Sequence, residues 1–278
     1  MMVKQRWFLL PILLAWTVFY LGPIVFLAER SFHQRNFLGG FQPEYGLDGW
    51  SAILEGSTYV VLGRTVWLAF GCALLCVLLA IPSALLLRKI RPAFRGWWIL
   101  VFWLPLFMNS LLFCYGYLLL LSREGFLNQL LQNWGWVSEP LSLLFTGFSV
   151  FIGVFCTFFG YCFFPIYAGV VRMESRWLRV AGDLGASPWQ TFRWVVLPLL
   201  RPNLIAGAAL VFVPVLGELL VPMLLGGGKV VTYASFIQLQ FTSYANWPLG
   251  AALSVSLIAA GVGLQFAAFT LMKERGGI

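Results

Sequence analysis

Glu218 stands in the run Val213-Pro214-Val215-Leu216-Gly217-Glu218-Leu219-Leu220-Val221-Pro222, among almost wholly apolar neighbours. An ionisable group in hydrocarbon costs about a few kcal/mol and is kept where it faces a passage or a partner. Two chemistries are open to this carboxylate: holding a cationic solute, or hydrogen-bonding helices together. Pro222 has no amide to give the Glu218 carbonyl, and Pro214 leaves the Leu210 carbonyl in the same state. A helix through this run is predicted to break, in a stretch that combines a carboxylate, free carbonyls and Gly217. Such backbone is tolerated at membrane depth where it lines a cavity or is buried in protein. Trp103, Asn109, Tyr115 and Tyr117 lie in a second apolar run. Asn109 is suited to hydrogen-bonding across helices, and the aromatic rings either hold an ammonium by cation–π contact or simply pack. The other reactive residues exclude more than they suggest. The five cysteines (Cys72, Cys76, Cys114, Cys156, Cys162) all fall in apolar runs and His33 is the only histidine, so neither a metal site nor a disulfide framework is expected. No glycine-rich loop leads to a Lys and Ser/Thr as a nucleotide site requires, and no nucleophile–base set is present. The chain is expected to be non-catalytic and to carry no cofactor.

The elements that must position these residues are membrane helices. The chain is 60% hydrophobic and 10% charged, against about 25% charged in a soluble domain. A spanning helix needs about 20 mostly apolar residues. About six runs qualify: Trp7–Ala28, Tyr59–Leu87, Trp97–Leu121, Phe145–Val170, Asn203–Leu225 and Pro248–Met272. The first has too long an apolar core for a cleaved signal and is read as a retained helix. The fold class is therefore all-α and polytopic, one transmembrane domain over residues 1–278 with a cytoplasmic loop at about 171–202. The net charge of +8 is explained by orientation. Lys4, Arg6, Arg88, Lys89, Arg91, Arg95, Arg172, Arg176, Arg179, Arg193, Arg201, Lys273 and Arg275 share one side. Only Arg30, Arg35, Arg64, Arg123 and Lys229 lie on or near the other. Positive charge stays cytoplasmic, so both termini are placed inside.

The link between the fourth and fifth runs is the most informative segment. Met173, Trp177, Val180, Ala181 and Leu184 share one helical face, with Arg172, Arg176, Arg179 and Asp183 on another. Gly185 follows the last apolar residue, where a left-handed cap wants glycine. Ser187-Pro188 fits an N-cap with proline at the first position of a second helix. A surface helix held by anionic lipid and a docking element for a soluble partner are both compatible with this pattern.

Gly185, nine residues, then Val195-Val196-Leu197-Pro198, together with Asp183-Leu184-Gly185-Ala186-Ser187, resembles the signature loop of binding-protein-dependent ABC importer permeases. Phe102-Trp103, Asn109-Ser110-Leu111, Tyr115-Gly116, Gly125-Phe126-Leu127-Asn128, Gly217-Glu218, Leu224-Leu225-Gly226-Gly227 and Trp247-Pro248-Leu249-Gly250 are similar to stretches of spermidine/putrescine permeases of the PotB and PotH type. The resemblance implies a type I permease fold in a bacterial cytoplasmic membrane. It implies ATPase subunits, a second permease and an extracytoplasmic solute-binding protein as partners. It also implies polyamine import by alternating access driven by the ATPase. It makes Arg176, Arg179, Asp183, Leu184, Gly185 and Ala186 the coupling surface and Glu218, Asn109, Trp103, Tyr115 and Tyr117 the substrate path. The chain departs from the family's pattern in four places. Arg179 and Val180 replace the usual Glu and Ala, Leu112 and Phe113 are apolar where a basic residue is common, and Met223 stands where an acid is. Iron(III), sulfate-like oxyanions and thiamine are the competing solutes within the family. A gradient-driven transporter or channel is the competing class.

Overall fold

The computed structural model describes residues 11, 14–36, 39–54 and 56–275. It resolves into two compact units, one formed by the chain up to Leu62 with Tyr233–Ala260, the other by Gly63–Thr232 with the chain from Gly261.

In the first unit a π-turn, Thr17–Leu21, leads into α1, Gly22–Arg30. Residues 7–10, 12 and 13 of the first expected span lie outside the described residues. Two short strands follow, β1 (His33–Arg35) and β2 (Phe41–Tyr45), paired antiparallel with an irregular register. The all-helical reading did not foresee this hairpin. Its strands are too short and too polar to show a period. Helix α2 (Asp48–Ile53) comes next, before the start of α3 (Gly56–Lys89). Tyr233, Leu249 and Leu253 are buried against Ala52, Ile53, Phe236, Ile237 and Leu257, and the Tyr233 and Ser256 hydroxyls are 2.8 Å apart.

The second unit is built around one helix. In chain order it holds most of α3, then α4 (Pro92–Phe107), α5 (Ser110–Leu121), α6 (Phe126–Asn133), α7 (Gly147–Arg172), α8 (Ser175–Asp183) and α9 (Pro188–Thr191). A π-turn over Phe192–Val196 leads into α10 (Leu197–Leu216), followed by α11 (Leu220–Leu225). Helix α12 (Tyr233–Thr242) and the first part of α13 (Trp247–Arg275) return to the first unit. Thr146 and Ser149 form a capping box that starts α7, and the Ser149 hydroxyl also donates to the Leu225 carbonyl at 2.9 Å. Helix α7 packs against α4, α5, α10 and α11. Within a bilayer, helices associate through close packing rather than through exclusion of water, so small residues belong at the contacts. A Cβ on Gly153 would fall 2.4 Å from Leu225 Cδ1, and one on Gly160 would fall 2.9 Å from the Phe102 carbonyl. Helix α3 also buries small residues, Ala69, Cys72, Ala73, Cys76, Ala80 and Ala84, and a Cβ on its Gly71 would fall 3.2 Å from the Phe151 ring of α7. The Cys72 thiol donates to the Phe151 carbonyl at 3.8 Å.

The second and sixth expected spans appear as α3 and α13, each a few residues longer than its apolar run. The third expected span, Trp97–Leu121, is not one helix. It breaks at Met108-Asn109, where Asn109 is extended and its side-chain oxygen accepts the Leu111 amide at 2.8 Å. A short polar side chain that takes up a nearby backbone amide competes with the helical ladder and starts a new helix. The fifth expected span, Asn203–Leu225, differs at both ends. Its helix begins well before residue 203 through α9 and the π-turn, and it stops at Leu216, with Gly217 as the C-cap. The break falls in the predicted stretch, but Pro214 lies inside α10 rather than ending it.

Candidate translocation path and coupling surface

Both broken helices put their breaks in the second unit, and the pieces beyond the breaks, α5 and α11, pack on each other. Glu218 lies between α10 and α11, half-buried. Its Oε1 accepts the Val221 amide at 3.1 Å, so the carboxylate caps α11. Its backbone carbonyl accepts the Thr232 hydroxyl at 3.4 Å, replacing the partner that Pro222 cannot supply. Asn109 does at α5 what Glu218 does at α11. Its expected bond across helices is instead a bond within its own helix, to the Leu111 amide.

The aromatic residues divide. Tyr117 turns toward α7, where its hydroxyl meets the Cys156 thiol, and its ring lies 4.8 Å from that of Phe113. Trp103 is 44% exposed and stacks edge-on with Phe107 and Phe164 at 5.5 and 5.6 Å. Tyr115 is 56% exposed, while its neighbour Cys114 is buried on another side of α5. Of the expected path residues, Glu218 and Asn109 therefore form a pair of caps, Tyr117 belongs to the α5–α7 contact, and Trp103 and Tyr115 sit on open faces. Two organisers were not anticipated, Asn128 fully buried and Asn203 half-buried. The Asn128 amide donates to the Ser122 and Leu141 carbonyls, both at 3.0 Å, and its oxygen accepts the Leu141 amide at 2.9 Å. The Asn203 amide donates to the Pro165 carbonyl at 2.9 Å. An Asn inside an apolar run was the available signal for Asn203. For Asn128 it was an Asn three residues after Gly125.

At the opposite end of the unit, α8 has the expected form. The Gly185 amide (φ +78°) donates to the Gly182 carbonyl at 2.9 Å and the Ala186 amide to the Ala181 carbonyl at 3.0 Å, the bond pair of a Schellman cap. The Ser187 hydroxyl accepts the Gln190 amide while the Gln190 side chain accepts the Ser187 amide, with Pro188 at the first helical position. Met173 is not on this helix as expected. It is buried as the C-cap of α7, because the chain is already extended there before α8 starts. On α8 itself only Ala181 is buried; Trp177 and Val180 stand half out, and Leu184 is 82% exposed. The ion pair in this segment joins Arg176 to Glu174 at 3.0 Å, and Arg176 also lies over the Trp177 ring. Arg179, Asp183 and Gly185 are exposed and Ala186 is half-buried. Arg88, at the end of α3, donates to the Val170 carbonyl at 3.1 Å and to the Ser175 hydroxyl at 2.8 Å. One guanidinium thus ties α3, the end of α7 and the first residue of α8 together.

Known proteins resemble this chain in sequence and in fold. PotB of Haemophilus influenzae, a spermidine/putrescine transport system permease protein, is 31% identical over 247 residues, covering 88% of this chain and 86% of that one. The PotB protein of Escherichia coli K12 is also 31% identical, covering 88% and 90%. Among solved structures, a bacterial ABC transporter involved in the import of the acidic polysaccharide alginate superposes with a TM-score of 0.76. That match covers 98% of this chain and 97% of the other at 18% identity, which speaks to the fold alone. The model of the family described as binding-protein-dependent transport system inner membrane component matches residues 74–273, and the chain belongs to that family.

Proposed function

We propose that this chain is one half of the membrane pore of an ATP-driven importer of polyamines such as putrescine and spermidine. Its partners are a second permease, ATPase subunits and an extracytoplasmic solute-binding protein. The chain hydrolyses nothing itself. Movement of the ATPase reaches it through α8 and rocks the helices around the break near Glu218. The observation that carries the substrate class is a carboxylate at an unwound point of the fifth span, with one oxygen engaged as a cap and the other unassigned. A carboxylate accepts charge-assisted hydrogen bonds from an ammonium, each worth roughly twice a neutral one. The PotB relatives support the same class. Docking at α8 is supported by Leu184, which stands largely exposed at the end of that helix while Ala181 is buried.

The test is uptake of labelled putrescine and spermidine in cells lacking this chain, complemented with wild type, Glu218→Gln or Glu218→Ala. Glutamine keeps an oxygen for the Val221 amide and removes only the charge. Uptake restored by wild type and reduced about ten-fold or more by Glu218→Gln at equal protein level supports a cation ligand, since hydrogen bonds to charged groups are worth about 1.5–3 kcal/mol. Full activity in Glu218→Gln with loss only in Glu218→Ala assigns Glu218 to capping instead. If wild type restores uptake of neither polyamine, the polyamine assignment falls and the importer role stands.

A further inference from the structure

Where the spanning helices meet the coupling segment, the second unit holds a cavity of about 550 Å³ that no step of the proposed transport uses. Arg88 and Lys89 from the last turn of α3 stand at one side. Leu85, Leu178, Phe192 and Val196 supply apolar wall, and Ser175 and Thr191 contribute hydroxyls. No acid is among the lining residues. Two adjacent cations with no lining counter-charge form a positive field, and the apolar wall favours an occupant with a hydrocarbon part. The level in the membrane is also specific. Lys89 ends a spanning helix on the basic, cytoplasmic side. Trp189 and Trp194, both largely exposed, flank the same segment as interfacial tryptophans do. The wall at Phe192–Val196 is a π-turn, a helical irregularity often found at functional sites.

We propose that this cavity is a binding site for an anionic phospholipid of the cytoplasmic leaflet. Lys89 and the spare Arg88 donor would take the phosphate, and Leu85, Leu178 and Phe192 would take the start of the acyl chains. Basic pockets between spanning helices on the cytoplasmic side are suited to such headgroups. The occupant would touch both the end of α3 and the segment that caps α8, so lipid charge would bear on the joint that Arg88 spans. The assignment concerns binding and stands apart from the identity of the transported solute.

The test uses the full transporter in phosphatidylcholine nanodiscs doped with a photoactivatable phosphatidylglycerol, with cross-links mapped by mass spectrometry. Cross-links concentrated in residues 175–196, and absent with photoactivatable phosphatidylcholine, are expected. Lys89→Glu should lower them about five-fold, the scale of one basic residue acting on an anionic headgroup. Thr191→Phe, which fills the cavity and keeps both charges, should lower them as well. Equal labelling by the zwitterionic lipid, or labelling unchanged in both variants, would overturn the proposal. Displacement of the label by soluble glycerol phosphate would overturn the lipid assignment in favour of a free phosphate ester.

Discussion

At the scale of single residues, His33 carries its own charge assignment. Its Nδ1 lies 2.6 Å from the Gln42 carbonyl oxygen and its Nε2 lies 2.7 Å from Glu29 Oε1. The Gln42 carbonyl and the ionised Glu29 carboxylate are both acceptors, so the surroundings of the buried ring favour the form with a proton on each nitrogen. The Glu29 hydrogen bond first, then the Gln42 carbonyl, holds its pKa above the usual histidine value. Arg30 and Tyr45 complete the surroundings: Arg30 pairs with Glu29 Oε2 at 3.1 Å, and the Tyr45 hydroxyl donates to Glu29 Oε1 at 3.4 Å. A pKa raised by folding means that the stabilisation is complete below the unfolded value of about 6.5. It is lost as pH rises through the folded value. The chain has one histidine, so a ring-carbon NMR signal needs no assignment. Its midpoint should lie above 6.5 and fall in Glu29→Gln. A midpoint at or below the free value in the native chain would contradict the geometry. The sequence showed Glu218 as an outlier by its apolar neighbours, but its capping of α11 depends on where the helix breaks, and the Thr232 hydroxyl that takes its carbonyl comes from beyond α11.

At the scale of elements, what could be read in advance was whatever is punctuated locally. Gly185 and Ser187-Pro188 mark the end of one helix and the start of the next through their own conformational preferences, and both ends stand where expected. The break at Asn109 was hidden because hydrophobicity averages over the run from Trp97 to Leu121, and one amide side chain barely moves that average. The β1–β2 hairpin was hidden because neither strand has enough residues to alternate. Gly185 also supports a direct test. A Cβ there meets nothing within 4 Å, so the cost of substitution is backbone alone, about 1–2 kcal/mol for a residue forced into the left-handed region. Gly185→Val should lower solute moved per ATP hydrolysed, while Gly185→Asn, which tolerates that conformation, should retain most of it. Equal coupling ratios in Gly185→Val and the native chain, measured in proteoliposomes, would remove α8 from the transmission route.

At the scale of the whole molecule, the chain presents an apolar spot to the cytoplasm. Leu184 is 82% exposed on a segment that also exposes Arg176 and Arg179, and its exposure makes sense where a second protein covers it. Buried apolar anchors at such contacts are worth about 2 kcal/mol or more. Leu184→Asp should therefore weaken co-purification of the ATPase about thirty-fold while leaving the chain's own membrane insertion and thermal stability in detergent unchanged. Retention of the ATPase at native levels would place the contact elsewhere. The breaks in the third and fifth spans have a mechanical consequence. Asn109 and Glu218 already terminate the hydrogen-bond ladders of α5 and α11, and those two pieces pack on each other. Tilting the pair as a rigid lever against α7 would rupture no helical hydrogen bond. The bonds such a stroke would strain lie at the far end of α11, where the Leu225 carbonyl accepts the Ser149 hydroxyl and the Phe145 amide, so a pair hinged in this way would swing without its own helices unravelling.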